Sequence, residues 1–512
     1  MMHSIIPQPS LIQEGSGCFA LTAKTEIIAD SRFRGVAHLL AERLRAGTGW
    51  SLRVRVKGSD SIRAYQIRIA YSPTIQKKES YRLSVRENLI QITAGDKGGA
   101  FYGIQSLLQL CPPAIYNAQP AFEVEWKIAS TLIQDEPKFR WRGVMLDTVR
   151  HFYSVEYLKK FIDLISQLKL NVLHWHLTDD QGWRIEIKKY PLLTKIGSKR
   201  RESPRGHFLA KLGGDGVPVE GYYTQDQIRE LVAYALERNV QILPEIEMPG
   251  HAQAAIAAYP FLGDSKTEVS CDWGVHTKLF NVQEKTIRFL KDVLKEVTEL
   301  FPFDYVHIGG DEVVKKQWKE DAATQKRMKE LGIVDEEALQ NWFVREMALY
   351  LGARGKKAIG WEEILNDQLP ENASVMSWLG KKAAAKAANM GREAVVCSHE
   401  AYYFDYAQSS KKLREPLTIR GTTNLQKVYR YQPIHRDLLK KNAHLILGVQ
   451  AQLWTEYLKT PSQVEYMAFP RLCAVAEVAW NGEKRPPYSH FKKKLSAHFK
   501  RLDCQDVRYF TN

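Results

Sequence analysis

The chain of 512 residues contains no run of about eighteen apolar residues, so nothing in it reads as a membrane-spanning helix. Its opening residues, Met1-Met2-His3-Ser4-Ile5-Ile6-Pro7, have neither a basic n-region nor an apolar h-region. The expectation is a cytoplasmic protein, or a secreted or periplasmic one whose leader has been removed. No Gly-rich phosphate cradle or nucleotide motif occurs, and no cofactor is expected. Cysteine is sparse: six are scattered without CxxC pairs, which argues against a thiolate zinc site and against a disulfide framework. Cys111, Cys397 and Cys473 sit in apolar segments and read as small buried hydrophobes.

What is present is an ordinary globular composition, 44% hydrophobic and 26% charged, in a chain too long for one hydrophobic core. Two or more domains are expected. The formal charge of +15 invites a nucleic-acid reading, but Lys and Arg are spread through many segments. The densest cluster, Lys484-Arg485, Lys492-Lys493-Lys494 and Lys500-Arg501, reads as the solvated face of a terminal helix. Nucleic acid is therefore not an expected partner. A sulfated, sialylated or otherwise acidic glycan environment stays open.

Residues 1–135 mix strand-like and helix-like segments. Leu52–Val56, Tyr65–Ile69 and Tyr81–Val85 alternate with period two, the mark of strands with one buried face. Phe33, Val36, Leu39, Leu40 and Leu44 form a helical stripe, and Ala100–Leu110 another. A small α+β domain without catalytic clusters is predicted. From residue 136 to 512 the rhythm becomes strand, loop, helix, repeated, which implies parallel strands joined by crossovers. Eight strands are predicted: Gly143–Asp147, Val172–Leu177, Gln241–Glu245, Tyr305–Ile308, Lys357–Trp361, Ser374–Trp378, Ala394–Ser398 and Leu445–Val449. Ser154, the capping boxes Thr224-x-x-Gln227 and Asn281-x-x-Glu284, and Asp335 mark helix starts, and Gly355 a helix end. A seventh helix is not clear within residues 409–444. The fold class is α/β, a (β/α)8 TIM barrel with a C-terminal helix, preceded by the smaller α+β domain.

Active sites of such barrels form where strands end, so polar residues there are candidates. They are Asp147 and Arg150; His174, His176, Asp179 and Asp180; Glu245, Glu247 and His251; His307, Asp311 and Glu312; Trp361; Trp378; Tyr403 and Asp405; and Trp454 and Glu456. Three tryptophans and a tyrosine at strand ends suggest a clamp on the C–H faces of a sugar. Two chemistries compete. His174, His176, His251, His307 and Asp311 have the ligand types of a metal-dependent barrel hydrolase. The objection is that His174 and His176 precede the strand end and face the barrel interior. The alternative is glycoside hydrolysis, in which acid and nucleophile ordinarily flank the scissile bond about 5–9 Å apart. Adjacent Asp311 and Glu312 do not suit that arrangement. They suit a substrate whose 2-acetamido oxygen attacks C1 itself, one acid acting as acid/base and the other orienting the amide. A non-catalytic glycan-binding barrel is the third reading.

The run His307-Ile308-Gly309-Gly310-Asp311-Glu312 resembles the signature of glycoside hydrolase family 20, the β-N-acetylhexosaminidases. So do Trp141–Asp147 with Arg150-His151-Phe152, His174–Arg184, Pro244–His251, Gly360–Glu363, Tyr403–Asp405 and Trp454–Glu456, across residues 135 to 505. The leading domain resembles that family's α+β companion. The resemblance implies an exo-acting, retaining enzyme that removes terminal β-linked GlcNAc or GalNAc by substrate-assisted catalysis, as that family is an exception to the two-carboxylate rule. It implies Glu312 as general acid and then base, Asp311 as the group that holds the acetamido N–H, and Tyr403 as donor to the acetamido oxygen. Trp361, Trp378 and Trp454 would wall the pocket, and Arg150, Asp405 and Glu456 would bind hydroxyls. His251 with Asp179 or Asp180 would support the acid/base carboxyl. His307 reads as structural, and Asp147 and Glu245 as buried hydrogen-bonding acids. Thr455 and Glu247 depart from the family's usual glycine and aspartate. The long loops Arg200–Tyr223 and Gln408–Tyr431 are expected to shape the aglycone side.

Overall fold

The structure, a computed structural model, describes residues 3–56, 65–263, 266–410 and 415–511. Residues Met1-Met2 of the opening and 411–414 of the second long loop lie outside the described residues.

The leading domain is one seven-stranded mixed sheet, in the order 11–20, 127–135, 81–86, 89–94, 66–71, 26–29, 53–56. The predicted period-two segments are three of these strands; Leu11–Ala20, Glu26–Ala29, Leu89–Ala94 and Lys127–Asp135 were not anticipated. Helix Arg34–Thr48 presents Val36, Leu40 and Leu44 to the core, and Gly49, in left-handed conformation, closes it. Helix Lys97–Leu110, capped by Asp96, is buried on nearly every side. Hydrophobic residues all round, rather than one stripe, mean cover on both faces. The core it joins also contains Trp480 of the barrel.

The barrel closes through eight parallel strands: Trp141–Asp147, Val172–His176, Gln241–Glu245, Tyr305–His307, Lys357–Trp361, Ala373–Ser377, Ala394–Val396 and Ile446–Leu453. Every predicted strand is present, with ends moved by a few residues. Alternation along them builds layers. Val172, Leu243, Tyr305, Ile359 and Val395 belong to an apolar plug. Two residues onward, His174, Glu245 and His307 form a fully buried polar layer. Beyond that layer the loops begin.

Local signals account for most crossovers. Ser154 and Asp335 accept the expected backbone N–H bonds, Thr224 and Gln227 form a capping box, and Gly355 follows the helix Glu336–Ala353 in left-handed conformation. Three expectations are corrected. Asn281 does not cap: its Oδ1 accepts from the Thr286 hydroxyl and the Gln283 N–H, and the helix starts later, at Glu284. The fifth crossover carries only the single turn Glu362–Ile364 among its described elements, where the repeating rhythm implies a helix; the seventh, where no helix was clear, has the short helix Leu425–Arg430 and a turn at Lys440–Leu445. The basic terminal helix, Tyr488–Asp503, is not merely solvated. Lys494 and Arg501 are buried and bind the carbonyls of Ile5 and of Ser4 and Gln109, leaving Lys492, Lys493 and Lys500 as its exposed face. No described helix is long and apolar enough to cross a membrane.

Candidate active site

The fourth strand ends at His307, and the chain then makes a turn that admits only glycine. Gly309 and Gly310 have φ of 65° and 97°. A Cβ on Gly309 would lie 1.7 Å from Glu247 Oε2, and one on Gly310 2.4 Å from Ile364 Cγ2. The two glycines thus let the backbone fold over packed side chains and deliver Asp311 and Glu312 to the barrel mouth. Glu312 itself, at φ 49°, and His251, at φ 50°, take a conformation unfavourable for residues with a Cβ. Such backbone outliers are enriched at functional sites.

His251 joins the two acids. Its Nε2 lies 3.6 Å from Asp311 Oδ2 and 3.7 Å from Glu312 Oε2, and these three atom sets fall within 4.8 Å of one another. Its Nδ1 faces Asp179 Oδ1 at 3.2 Å and Asp180 Oδ2 at 3.1 Å. Both aspartates therefore back the imidazole. They come from a hairpin in which Asp179 pairs with Gly182 and Asp180-Gln181 forms the turn. Burial alone would neutralise His251, but the charges and hydrogen bonds of Asp179 and Asp180 hold its pKa well above the ordinary histidine value.

The other end of the site is ordered by Arg150. It reaches Asp179 Oδ2 at 2.8 Å, Asp147 Oδ2 at 3.2 Å and Gln181 Oε1 at 2.9 Å, and its guanidinium carbon sits 5.1 Å from the Trp454 ring centre. Against the cost of burial, the Arg150 charge holds Asp147 below the usual carboxylate range and lowers Asp179 to about 2. Carboxylates without such a neighbour behave oppositely. Asp311 is pushed well up by burial and by Glu247, and Asp405 by burial and by Glu456. Glu456 is also raised, by burial, although Arg150 pulls the other way. Asp311 Oδ1, Asp405 Oδ1, Glu456 Oε2 and Trp361 Nε1 are buried and have no hydrogen-bond partner among the described residues. Buried polar atoms left unsatisfied in this way point to a polar ligand.

Aromatic residues supply the walls. Trp361 lies 6.0 Å from Trp454, and Trp378 stacks on Tyr403 at 6.0 Å and 26°. Tyr403 is placed by backbone bonds of Tyr402 and Phe404 to Gln452, which extend the seventh strand. Burial keeps its phenol protonated and so a donor. Of the residues to which the resemblance gives a catalytic, binding or supporting role, all except Asp180 line one cavity of about 450 Å³; Asp180 stands behind His251, and the other strand-end candidates, Asp147, His174, His176, Glu245, Glu247 and His307, are not among its lining residues.

Sequence reasoning did not name Glu363, whose two carboxylate oxygens each accept from Trp378 Nε1 at 3.1 Å. Nor did it name the rim residues Phe208, Leu209, Gly274, Val275, Tyr406, Ile419 and Arg420. Loop length signalled Phe208, Leu209, Ile419 and Arg420; Gly274, Val275 and Tyr406 lie outside the two long loops and had no such signal. The two long loops meet through His207, whose Nε2 donates to Ile419 O at 2.8 Å while its ring stacks on Tyr457. The five residues of the metal reading are split. His174 and His307 contact Glu245 at 3.0 and 2.7 Å inside the barrel and His176 contacts Asp147 at 3.1 Å, whereas His251 and Asp311 stand at the mouth. The described groups with metal-ligand chemistry are His174/Glu245/His307, His176/Glu245/Glu247, Asp179/Asp180/His251 and His251/Asp311/Glu312. The departing residues Glu247 and Thr455 are both buried, Glu247 against the glycine turn and Thr455 hydrogen-bonded to Asp147.

Comparison with known proteins agrees with this geometry. The family profile described as glycosyl hydrolase family 20, catalytic domain, matches residues 139–483, and that family's domain 2 matches residues 2–136. The chain belongs to glycosyl hydrolase family 20. Among the relatives of this family 20 chain, a beta-hexosaminidase of Porphyromonas gingivalis is 40% identical over 511 residues, 99% of this chain. The chain spans 64% of that relative's length, and 76% of the length of a Vibrio furnissii beta-hexosaminidase that is 35% identical over 92% of this chain. A Vibrio harveyi exo-β-N-acetylglucosaminidase, solved with N-acetylglucosamine, superposes with a TM-score of 0.87 at 30% identity, covering 100% of this chain and 79% of that one. A Streptomyces plicatus beta-hexosaminidase mutant, solved with the product GlcNAc, gives 0.85 at 30% identity, covering 100% and 97%.

Proposed function

We propose that this family 20 chain is an exo-acting, retaining β-N-acetylhexosaminidase that hydrolyses terminal β-linked GlcNAc or GalNAc with help from the substrate's own acetamido group. The observation that carries the proposal is the pairing of Asp311 and Glu312 on one imidazole, inside a cavity walled by Trp361, Trp378 and Trp454. Two acids this close cannot flank a scissile bond, so a nucleophile must come from the sugar. The GlcNAc bound in the Vibrio harveyi and Streptomyces plicatus structures supports the same substrate class.

In this reading Glu312, the more exposed acid, gives its proton to the leaving oxygen while the acetamido oxygen attacks C1. Asp311 accepts the acetamido N–H. Burial beside Glu247 makes its negative charge costly in the empty pocket, so the positive charge that develops on the cyclising amide stabilises it most at the transition state. The neutral Tyr403 hydroxyl donates to the acetamido oxygen. Water then opens the oxazolinium ring with Glu312 as base, and configuration is retained. His251, backed by Asp179 and Asp180, positions both acids. The unpartnered oxygens of Asp405 and Glu456 accept sugar hydroxyls.

The test is release of nitrophenol from its β-GlcNAc and β-GalNAc glycosides and of the terminal sugar from GlcNAc disaccharides. A thiazoline mimic of the cyclised intermediate is expected to inhibit strongly. An active protein whose rate on disaccharides ignores Glu312→Gln would sink the assignment; sugar binding without turnover would mark a binding barrel.

A further inference from the structure

The cavity is lined by five carboxylates, Asp179, Asp311, Glu312, Asp405 and Glu456, and by two guanidiniums, Arg150 and Arg420. The two guanidiniums differ in what they have left to give. Arg150 has its charge matched by Asp147 and Asp179, and each of its nitrogens already serves an acceptor on Asp147, Asp179 or Gln181. Arg420, at the exposed rim, commits Nε to the Tyr406 hydroxyl at 3.2 Å and makes no ion pair with any described residue. No described residue bonds its two terminal nitrogens, which can form the forked pair of bonds that a carboxylate or sulfate accepts. Arg420 lines the same cavity as Asp405 and Glu312 and feels the charges of both.

Its surroundings decide which part of a substrate it meets. The interior carries Asp405 and Glu456 with unpartnered oxygens, an environment that repels an anion on the terminal sugar. The rim around Arg420 is apolar: Phe208, Leu209, Val275 and Ile419, with Leu209 71% and Val275 48% exposed. Exposed aliphatic side chains lining the same rim as the Arg420 guanidinium suit a sugar ring whose C–H face packs on them and whose acidic group meets that guanidinium.

We propose that Arg420 is a specificity-determining residue that grips a carboxylate or sulfate on the leaving-group sugar, so that the preferred substrates are terminal N-acetylhexosamines linked to an acidic saccharide. The proposal rests on the hexosaminidase reading.

It is tested by kcat/KM on three pairs of substrates: GlcNAc β-linked to a uronic acid against its methyl ester, GlcNAc β-linked to a sulfated hexose against the plain hexose, and 6-sulfated terminal GlcNAc against GlcNAc on a neutral partner. The acidic leaving sugars are expected to be favoured about tenfold at low salt, mostly through KM, with a ratio that shrinks as salt screens the pair. A preference for only one of the two acidic leaving sugars identifies the anion. Arg420→Gln should bring the ratio to about one, and Arg420→Lys should retain part of it because charge survives without the fork. Equal rates within both leaving-sugar pairs, a preference that survives Arg420→Gln, or an Arg420-dependent gain confined to the 6-sulfated terminal sugar would each overturn it. Failure to hydrolyse any member of the panel would instead count against the hexosaminidase reading. Calorimetric binding of the uronic-acid pair to the wild type and to Arg420→Gln then still decides the role of Arg420, since equal affinity for acid and ester refutes it.

Discussion

Two buried polar regions of this molecule are built from the same residue types and end in opposite states. At the seam between the sheet domain and the barrel, Lys169 Nζ meets Asp135 Oδ2 at 2.7 Å, and Asp135 also accepts from Tyr81 at 2.7 Å, Trp480 at 2.8 Å and the Ser10 N–H at 2.9 Å. Nearby, Arg142 bonds Glu79 at 2.8 Å, Tyr102 at 2.9 Å and the Lys169 carbonyl at 2.7 Å. These charges find partners within the fold. At the barrel mouth, Asp311, Asp405 and Glu456 each keep a buried oxygen without one. A satisfied buried charge holds two domains in register; an unsatisfied one is held ready for a ligand. On the hexosaminidase reading, the contrast separates carboxylates kept for the fold from carboxylates kept for the reaction.

Mutation should split the two regions cleanly. The largest effect is expected from Glu312→Gln, a loss of about 10²- to 10⁴-fold in kcat on substrates with a sugar leaving group, with the thermal midpoint unmoved. Lys169→Met should do the reverse. Leaving the Asp135 charge unpaired costs about 3–5 kcal/mol, seen as a lower denaturant midpoint, while the folded protein keeps its specific activity. Adding Asp135→Asn to that variant should recover part of the loss; no recovery would mean that the pair is not the source of the effect. Asp311→Asn is expected to cost about 10²- to 10³-fold in kcat with little change in stability, because the loss of the His251 contact is offset by removal of a carboxylate that burial and Glu247 disfavour.

Two smaller effects follow from pH. Asp311 must be ionised to accept the acetamido N–H, and its pKa is raised by burial and Glu247, so kcat/KM should fall on acidification from above the ordinary carboxylate range. That limb should vanish in the residual activity of Asp311→Asn. Far from the site, His498 is buried with neither ring nitrogen partnered, and burial followed by the Arg501 charge lowers it from 6.5 to about 3. Between those values the unfolded chain holds a proton that the folded chain does not, so stability should decline as pH falls through that window. His498→Met should flatten this part of the midpoint-versus-pH curve without touching the acid limb of the rate.

Much of the scaffold was legible because its signals are local. Period-two alternation in Val172-Leu173-His174-Trp175-His176 already sorts inward from outward residues, and Thr224 with Gln227 needs only its own helix. Failures came where a distant contact outweighed a local preference. Asn281 is held by the carbonyls of Phe261 and Gly263, 20 and 18 positions back, and Lys494 and Arg501 abandon solvent for carbonyls nearly 500 positions away, at separations of 489 and 497 residues. The same holds at the site. Glu363 sat in a quoted motif without a role because its meaning is the Trp378 indole it holds, and Val275 reaches the rim on a loop with no periodic signal.

By itself, then, the sequence determined the strand rhythm, the layered barrel interior and the glycine turn that ends in Asp311 and Glu312. Each depends on side-chain size and backbone freedom within a few residues. Only the tertiary structure decided which acids are neutralised and which are left waiting. Asp135 and Asp311 read alike as letters, but Asp135 receives Trp480 from 345 positions along the chain, whereas Asp311 receives no such partner for Oδ1. Charge compensation is set by groups that folding brings together, and no local pattern encodes them.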